Sequence, residues 1–499
     1  MASSTVKSND EVASIYFEPS QQILDSLIEH AAKHGQFRHF DYRLGIRLLL
    51  NSRKSPLPCR ETPAELEAVS AQFSAQIHAL FDALKAFETI NAKAEKSAIH
   101  QDGLNLTIKV ERQSFDIYLD CLHRTFHTYP LTIAHPDSLP LLSTVTTFRV
   151  IPYPHGPGGC KWANTRPISL ISLLKCMMRL PALKEVEFPW LWEQMPVAFE
   201  VLALRHYARS WEGPWRDSRH EFGRAVDQLH NQMPESLRKA RMWFWDPDYG
   251  FQEDQSTALP NLVHPKTEDP MSIGMRTVAS HLEHLDLRAF IMPELFNPPI
   301  NWPRMRQLRV EFHPWRPDGC WYFVGPRGEN PEPQGFEVTD EHYPPSSPDE
   351  NDEKVDDEYC ESGDDEDLLL PDMFRTEPLE DKIVPLLSSF VTALKGMPAL
   401  EEAEVFTYLT WKPSKEREAA YGEDAPYKSE GVMYRWGVRY VPRTSGNKGL
   451  LEWQVGAWKP SQDIIDLFEH LERGGQLEMV WKPFDLNKNR KKPDFDAFC

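Results

Sequence analysis

The sequence has few cysteines for its length, and none of them forms a Cys-x-x-Cys pair. Seven cysteines are scattered over 499 residues. Zinc ribbons need paired cysteines, and small secreted domains need a dense disulfide framework. The spacing argues against both classes and predicts reduced thiols in a cytoplasmic or nuclear protein.

Long apolar runs and an excess of basic charge are also missing. No apolar run reaches the roughly 18 residues that can cross a membrane, and the first residues lack the basic and then apolar order of a secretory signal. Lysine and arginine total 55 against 75 acidic residues, giving a net charge of −20. A nucleic-acid groove needs a basic stripe. We therefore expect neither a membrane nor a nucleic-acid partner.

Motifs for catalysis or cofactor binding are absent as well. The sequence has no Gly-x-Gly-x-x-Gly, no phosphate-binding Gly-Lys-Ser/Thr loop, no Gly-x-Ser-x-Gly and no His-Glu-x-x-His. His123 and His127 have a spacing that could place two metal ligands on one helical face, with Cys121 nearby, but no second ligand pair accompanies them. We predict no catalytic, cofactor-binding or metal site, and a protein that is not an enzyme.

What the sequence does contain is a repeated short phrase. Leu282-x-x-Leu285-x-Leu287 returns 23 residues later as Met305-x-x-Leu308-x-Val310. A step of three and then two residues is typical of a chain that leaves a turn and enters a short strand with alternate side chains facing one core. Four further copies are Val145/Phe148/Val150, Leu183/Val186/Phe188, Leu237/Ala240/Met242 and Leu400/Ala403/Val405.

Helical patterns, most of them ending near a proline, stand between these phrases. Each unit therefore predicts a helix followed by a strand, with the strands parallel and the helices outside. The copies are 38, 54, 45, 23 and 95 residues apart, whereas regular leucine-rich repeats measure about 20 to 29 residues. The fold class predicted is α/β, an irregular leucine-rich-repeat-like solenoid with a helical N-terminal cap and a long disordered acidic insertion.

The domain boundaries follow from changes in pattern. We predict a disordered tail at 1–17, a helical N-terminal cap region at 18–110, the solenoid at 111–325, a disordered acidic insertion at 326–371, the last repeat and C-terminal cap at 372–483, and a basic tail at 484–499. In the cap region, Thr62, Pro63 and Glu65 start a helix with a capping box. The basic tail holds Lys488 and three further basic residues, which serve either as a nuclear-localisation signal or as a solvated end.

The acidic insertion is the most strongly charged part of the chain. Residues 349–367 contain twelve acids and one lysine. With almost no large aliphatic side chains, such a stretch cannot bury enough surface to offset the entropy lost on ordering. We expect no fixed structure there.

Tryptophans give the best lead to a binding surface. Fifteen are present, and several follow the predicted strands, where they either fill gaps between irregular repeats or line a surface for a partner. The charged residues between the core positions are mixed in sign, which suits a protein partner better than a polyanion. The candidate partner-binding residues are Trp190, Trp192, Trp243, Trp245, Arg241, Arg309, Trp315 and Trp321.

The chain resembles filamentous-fungal F-box and leucine-rich-repeat-like proteins that carry a domain of unknown function. The likeness covers residues 73–480 and rests on DGLNLTIKV (102–110), WPRMRQLRVEF (302–312), PDGCWYFVGP (317–326), GMPALEEAEVF (396–406), WGVRYV (436–441) and LLEWQVGAWKPSQDIIDLFEHL (450–471). The resemblance implies no catalytic residues, and for many such proteins it implies substrate recognition for a ubiquitin ligase. An F-box opens with a Leu-Pro-x-Glu-Ile-like phrase, whereas this chain has Phe17-Glu18-Pro19, so the resemblance does not include a complete F-box.

The sequence thus predicts a non-enzymatic module that binds a protein of unknown identity. One alternative is a substrate-recognition adaptor of a cullin-type ubiquitin ligase, which would also bind the ligase linker subunit. A second alternative is a ligand- or carbohydrate-binding protein that uses its tryptophan-rich surface.

Overall fold

The computed structural model describes residues 12–15, 20–48, 62–94, 97–111, 114–115, 129–152, 165–189, 191, 193, 211–245, 254–297, 300–345, 350, 354, 371–427, 433–443, 448–471 and 477–484. Its strands, in chain order, are β1 (Val12–Ile15), β2 (His39–Leu44), β3 (Arg47–Leu48), β4 (Leu104–Val110), β5 (Ser114–Phe115), β6 (Val145–Pro152), β7 (Glu185–Phe188), β8 (Lys239–Trp243), β9 (Pro260–Asn261), β10 (His284–Ala289), β11 (Gln307–Phe312), β12 (Phe323–Val324), β13 (Phe336–Glu337), β14 (Glu377–Pro378), β15 (Glu402–Thr410), β16 (Met433–Val441), β17 (Gly449–Gln454) and β18 (Leu477–Trp481). The α-helices of the described residues are α1 (Ser20–His34), α2 (Pro63–Asn91), α3 (Leu170–Met177), α4 (Glu212–Leu229), α5 (Pro270–Ala279), α6 (Glu380–Leu394), α7 (Lys415–Tyr421) and α8 (Gln462–Glu469).

Twelve of these strands form one sheet, in which the strands follow one another in sequence order. The order is β1-β2-β4-β6-β7-β8-β10-β11-β15-β16-β17-β18. All pairs from β1 to β15 are parallel, as is β17 with β18, and only β16 is antiparallel to both of its neighbours. The prediction of a mixed α/β protein with a large, mostly parallel sheet is confirmed.

The repeated phrases coincide with these strands. Leu285 pairs in register with Ala240 on one side and Leu308 on the other. All six phrases coincide with a strand. Of their eighteen core positions, seventeen are buried and only Leu400 is partly exposed. The phrase therefore predicts both the strand and the face that it buries.

Helices pack on this apolar face of the sheet. Side chains of α3, α4 and α5 meet Phe188 of β7 and Met242 of β8 around an apolar cavity of about 20 Å³. Strand and helix side chains belong to one continuous core. Such a core explains why alternate strand residues are apolar while the residues between them are polar.

Replacing Leu285 by Ala is expected to lower the free energy of unfolding by about 2–5 kcal/mol, because a buried leucine leaves a cavity when it is truncated. Leu285 is 2% exposed and lies at the centre of the sheet. Urea denaturation of the variant measures the loss. An unchanged midpoint would remove Leu285 from the core; Leu141→Ala, at a leucine that is 51% exposed, serves as the matched control.

The N-terminal region is part of the sheet as well as helical. The capping box of α2 is confirmed, since the Thr62 side chain accepts from the Glu65 backbone and the Glu65 carboxylate accepts from the Thr62 backbone. However, β2 was not expected, and β1 lies inside the tail predicted as disordered. The pattern missed β2 because its three apolar residues, Phe40, Tyr42 and Leu44, are fully buried but alternate over only six positions.

The predicted disorder of the insertion is wrong for its first part. Residues 326–345 are described, with Val338 in a buried cluster and the Tyr343 hydroxyl 2.7 Å from Asp217. The reason is a buried cation: Arg375 is 0% exposed and donates to the Phe323 and Pro331 carbonyls, which ties this segment to the chain that follows it. Most of the acidic stretch 349–367 lies outside the described residues.

Other expectations also fall outside the described part of the chain. These are Cys121, His123 and His127, the tryptophans Trp190 and Trp192, and the basic tail from residue 485 onward. Among the helices that are described, none is both long and apolar enough to span a membrane.

Candidate interaction face

The sheet face opposite the helices carries polar side chains at alternate positions of the strands from β2 to β17. We call this the polar face. Its middle row, the charge row, runs straight across the sheet through register-paired residues. The row is Asp41, Thr107, Arg149, Glu187, Arg241, Asp286, Arg309, Glu404, Arg439 and Glu452.

Charge alternates along this row from β6 to β17. Arg149 lies 2.6 Å from Glu187, Arg241 lies 3.2 Å from Asp286, and Arg439 lies 2.8 Å from Glu452. Their side chains are between 12% and 36% exposed. Opposite charges on directly facing residues stabilise a sheet pair, so the row joins neighbouring strands while leaving each charge at the surface.

Arg309 is the centre of the charge row. Its guanidinium lies 2.9 Å from Asp286 on β10 and 2.9 Å from Glu404 on β15, and 4.6 Å above the ring of Phe406. Burial acts to lower the pKa of Arg309, but the carboxylates of Asp286, Glu311 and Glu404 outweigh it and raise the pKa above its ordinary value. Arg309 therefore stays charged and holds two acidic strands together.

Removing this cation should be costly, whereas removing a neighbouring one should not. We expect Arg309→Ala to lower the free energy of unfolding by about 1–2 kcal/mol, because the partly buried carboxylates of Asp286 and Glu404 each lose a cationic partner. Arg306→Ala is the matched control: its side chain is 50% exposed and forms an ion pair with Glu401, and because exposed pairs contribute little to stability, the loss should be clearly smaller. Equal losses in chemical denaturation would contradict a central role for Arg309.

A second charge pair, which is buried, lies two residues further along β10 and β11. Arg288 donates to Glu311 at 3.0 Å, and both side chains are almost completely buried. The guanidinium of Arg288 also lies 4.3 Å from the ring of Trp243. This pair is more buried than the charge row because aromatic side chains surround the strand ends.

The tryptophan candidates do not form an exposed surface. Trp245, Trp315 and Trp321 are between 2% and 4% exposed and pack with Trp215 and Phe290 in a second buried cluster beyond the strand ends. The ring centroids of Trp245 and Phe290 are 5.3 Å apart, and those of Trp315 and Phe290 are 5.4 Å apart. These rings fill the space between irregular loops. This is the first of the two interpretations of the tryptophan pattern, in which tryptophans fill gaps between irregular repeats.

Trp243 has a different position. Its ring is 4% exposed, and its indole nitrogen lies 3.3 Å from Asp286 of the charge row. The guanidinium of Arg241 is 5.7 Å from the same ring. Of the predicted binding residues within the described part of the chain, the structure therefore brings together Arg241, Trp243 and Arg309, all around Asp286.

Of the eight alternating charges between β6 and β17, sequence reasoning missed four. The prediction used the positions between core residues for β7, β8, β10 and β11, but the same rule applied to VTTFRVIP and EAEVFTYLT gives Arg149 and Glu404. Arg439 and Glu452 follow because β16 and β17 continue the sheet. The signal for Arg149 and Glu404 was present in the repeated phrases, whereas Arg439 and Glu452 lie on strands that the phrase does not mark.

Comparison with known proteins adds no relative: no family model, curated protein or solved structure matches the chain. Within the described residues, no group of three or more His, Cys, Asp or Glu side chains has the arrangement of a metal site.

Proposed function

We propose that the chain is an irregular leucine-rich-repeat-like solenoid. What supports this is the strand order, since a solenoid stacks each repeat on its predecessor and so places strands in sequence order. Successive phrases also pair in register, as Val186 does with Ala240 and Leu308 with Ala403. The unequal spacing is absorbed by insertions after the strands, where the second buried cluster forms. The resemblance to filamentous-fungal F-box and leucine-rich-repeat-like proteins is part of the same proposal, because those proteins are expected to have this kind of fold.

We propose that this solenoid is a non-enzymatic protein-interaction module of the cytoplasm or nucleus, and that its polar face binds the partner. The observation that carries the proposal is the alternating charge row. A surface of alternating sign repels a uniformly charged polyanion at every second position, whereas a protein surface of mixed sign can match it. Rigid placement on strands also favours recognition, because little side-chain entropy is lost on binding.

The protonation behaviour of the row fits binding better than proton transfer. The hydrogen bond to Glu402 raises the pKa of Arg439. Burial acts to raise the pKa of Glu452, but hydrogen bonds from Lys482 and Arg439 hold it below its usual value. Groups that stay ionised on both sides of neutrality suit fixed electrostatic complementarity, whereas a general acid or base needs a pKa near the working pH.

The other two candidate functions find no comparable support. For a ligase adaptor the helices of residues 20–91 would have to offer an apolar surface, yet Phe73, Leu80 and Leu84 are 0% to 2% exposed. For a ligand-binding protein the candidate tryptophans would have to line a cleft, yet Trp245, Trp315 and Trp321 are packed together in the second buried cluster.

Charge-swap variants test the proposal. Arg149→Glu combined with Glu187→Arg keeps an ion pair between β6 and β7 but inverts the local pattern. The matched control, Arg179→Asp with Asp137→Arg, inverts a pair 3.3 Å apart that belongs to a loop and a helix end. Proteins retained by the immobilised wild-type chain are identified by mass spectrometry and their affinities measured one by one.

We expect a true partner to lose at least about tenfold in affinity toward the β6/β7 swap, the usual scale for mismatched interface charges, and to bind the control swap as it binds the wild type. Thermal denaturation must show that both swaps fold. Partners that bind all three proteins equally would place the interaction elsewhere and contradict the assignment of the polar face.

A further inference from the structure

The charge row is complementary to a second copy of itself. From β6 to β17 it holds eight charges of strictly alternating sign: Arg149, Glu187, Arg241, Asp286, Arg309, Glu404, Arg439 and Glu452. Because their number is even, the row begins with a cation and ends with a carboxylate. The same row read backwards therefore has the opposite sign at every position.

A two-fold axis makes two copies meet in this reversed order. The axis runs parallel to the strands, midway between β10 and β11, in the plane between two facing sheets. About this axis Arg309 lies opposite Asp286 of the second copy, and Arg149 at one end of the row lies opposite Glu452 from the other end. Each contact occurs twice, as in any isologous dimer. An axis placed on a strand would instead bring like charges together.

The row of residues beside the charge row obeys the same symmetry. Towards the starts of the strands, Lys239, His284, Gln307 and Glu402 are paired in register from β8 to β15. The axis between β10 and β11 places Lys239 opposite Glu402 of the second copy, and His284 opposite Gln307. The charge row alone fixes the axis, so this second match of opposite charges is independent of the first.

The spacing of the charges favours a second sheet over a helix. Neighbouring strands lie about 4.8 Å apart, whereas successive turns of an α-helix repeat about every 5.4 Å. A helix with alternating charges therefore falls out of step by about 0.6 Å per strand, and by about 4 Å from the first to the last of the eight charges, which is close to one strand spacing. Its last charges would face residues of their own sign. A second copy has the same spacing and stays in step along the whole row.

The charged side chains of the polar face can take a second partner. Those of the charge row are between 12% and 38% exposed, and the Glu402 side chain is 38% exposed. Lys239 is exposed as well. Because a guanidinium has five donors, Arg241 can keep its ion pair with Asp286 of its own chain and also donate to Glu404 of the second copy. Contacts between the copies then add to the ion pairs within each sheet.

We propose that two copies of the chain associate through their polar faces as a two-fold symmetric dimer, with the axis between β10 and β11. The inference rests on the proposed function, since it uses the same face, and it names a second copy of the chain as the partner. The alternating row also fixes the register of the dimer, because a shift of one copy by one strand would place like charges opposite each other, which is unfavourable.

Reciprocal charge reversals test the dimer. Sedimentation velocity of the full-length chain is measured at an ionic strength of about 0.15 M, where distant charges are screened, and we expect the wild type to dimerise. Lys239→Glu and Glu402→Lys should each weaken self-association at least about tenfold, because like charges then meet at two places in the dimer. An equal mixture of the two variants should associate as tightly as the wild type, because each reversed residue meets an opposite charge on the other variant. Lys395→Glu, at an exposed lysine that ends α6 on the helical side of the sheet, is the control and should dimerise normally.

Thermal denaturation of each variant checks that it folds, and restored association in the mixture is a second check, since a misfolded chain cannot regain a specific contact. A wild-type chain that stays monomeric would overturn the inference. Folded variants whose mixture does not associate would also overturn it, as would self-association that Lys239→Glu and the β6/β7 swap leave unchanged. The proposed function is judged separately: a different protein that loses affinity toward the β6/β7 swap supports the polar face as a binding surface even where the chain itself is monomeric.

Discussion

Deletion of residues 1–90 is expected to leave the rest of the chain insoluble or molten. The helix α2 buries one apolar stripe against the sheet core: Leu66, Val69, Phe73, Ile77, Leu80, Leu84 and Phe87, of which only Leu66 is partly exposed. Seven such side chains contribute about 10–20 kcal/mol of burial energy. That is comparable to or larger than the usual net stability of a domain, roughly 5–15 kcal/mol. The deletion also removes β2 and so exposes the edge of β4.

Polar contacts of α2 strengthen this expectation. Glu88 is 7% exposed and accepts from the backbone and hydroxyl of Thr144, just before β6. Ser74 accepts from the Ala134 amide at 2.8 Å. These bonds connect α2 to the chain entering the repeated phrases, so the helix and the sheet should unfold together.

Static light scattering and circular dichroism of the deletion variant measure the outcome. A shorter deletion, of residues 1–11, ends before β1 and is the control, which should melt like the full-length chain. A 91–499 fragment that stays soluble with an unchanged melting transition would contradict the packing role of α2. Such a result would support a separately folded N-terminal domain, as in a ligase adaptor.

The parts of the fold that the sequence predicts are those with a local pattern. A phrase such as Leu282/Leu285/Leu287 predicts a strand, and Thr62 and Glu65 predict the start of a helix. Both predictions succeed because each feature depends on neighbouring residues. The unequal distances between the phrases, which indicate insertions, are also visible in the sequence. The order of the strands then follows, since consecutive elements tend to lie side by side.

The parts that the sequence does not predict depend on distant residues. Arg375 lies just after the stretch predicted to be disordered, and it orders the first part of that stretch by donating to the carbonyl groups of Gln255, Phe323 and Pro331. Composition alone cannot show that a charge will find such partners. The tryptophans fail for a related reason: their number is visible, but whether Trp315 faces solvent or Phe290 depends on how loops from three strands meet.

The candidate site divides in the same way. Positions between core residues predict that Arg241, Asp286 and Arg309 share one face. That their charges alternate in one row across the sheet depends on the register of every strand pair, which no single segment specifies. The register of the strands therefore determines that the mixed charges lie in one row across the polar face.

Replacement of Arg219 by Met should destabilise the protein more than any change on the polar face. Arg219 on α4 is 0% exposed; it lies 2.8 Å from Asp269 and forms a second ion pair with Glu193. Its Nη2 also donates to the Phe290 carbonyl at 3.1 Å. Loss of the cation leaves two buried carboxylates without a positive partner, which costs about 3–5 kcal/mol. Urea denaturation at pH 7 measures this loss.

A second substitution distinguishes uncompensated charge from lost packing. Adding Glu193→Gln to Arg219→Met removes one of the two unpaired buried carboxylates and should restore part of the stability at pH 7. Asp269 keeps its hydrogen bonds from Met271 and Ser272 at the start of α5 in both variants. A loss of stability that Glu193→Gln does not reduce would mean that Arg219 acts through its packing volume and not through its charge.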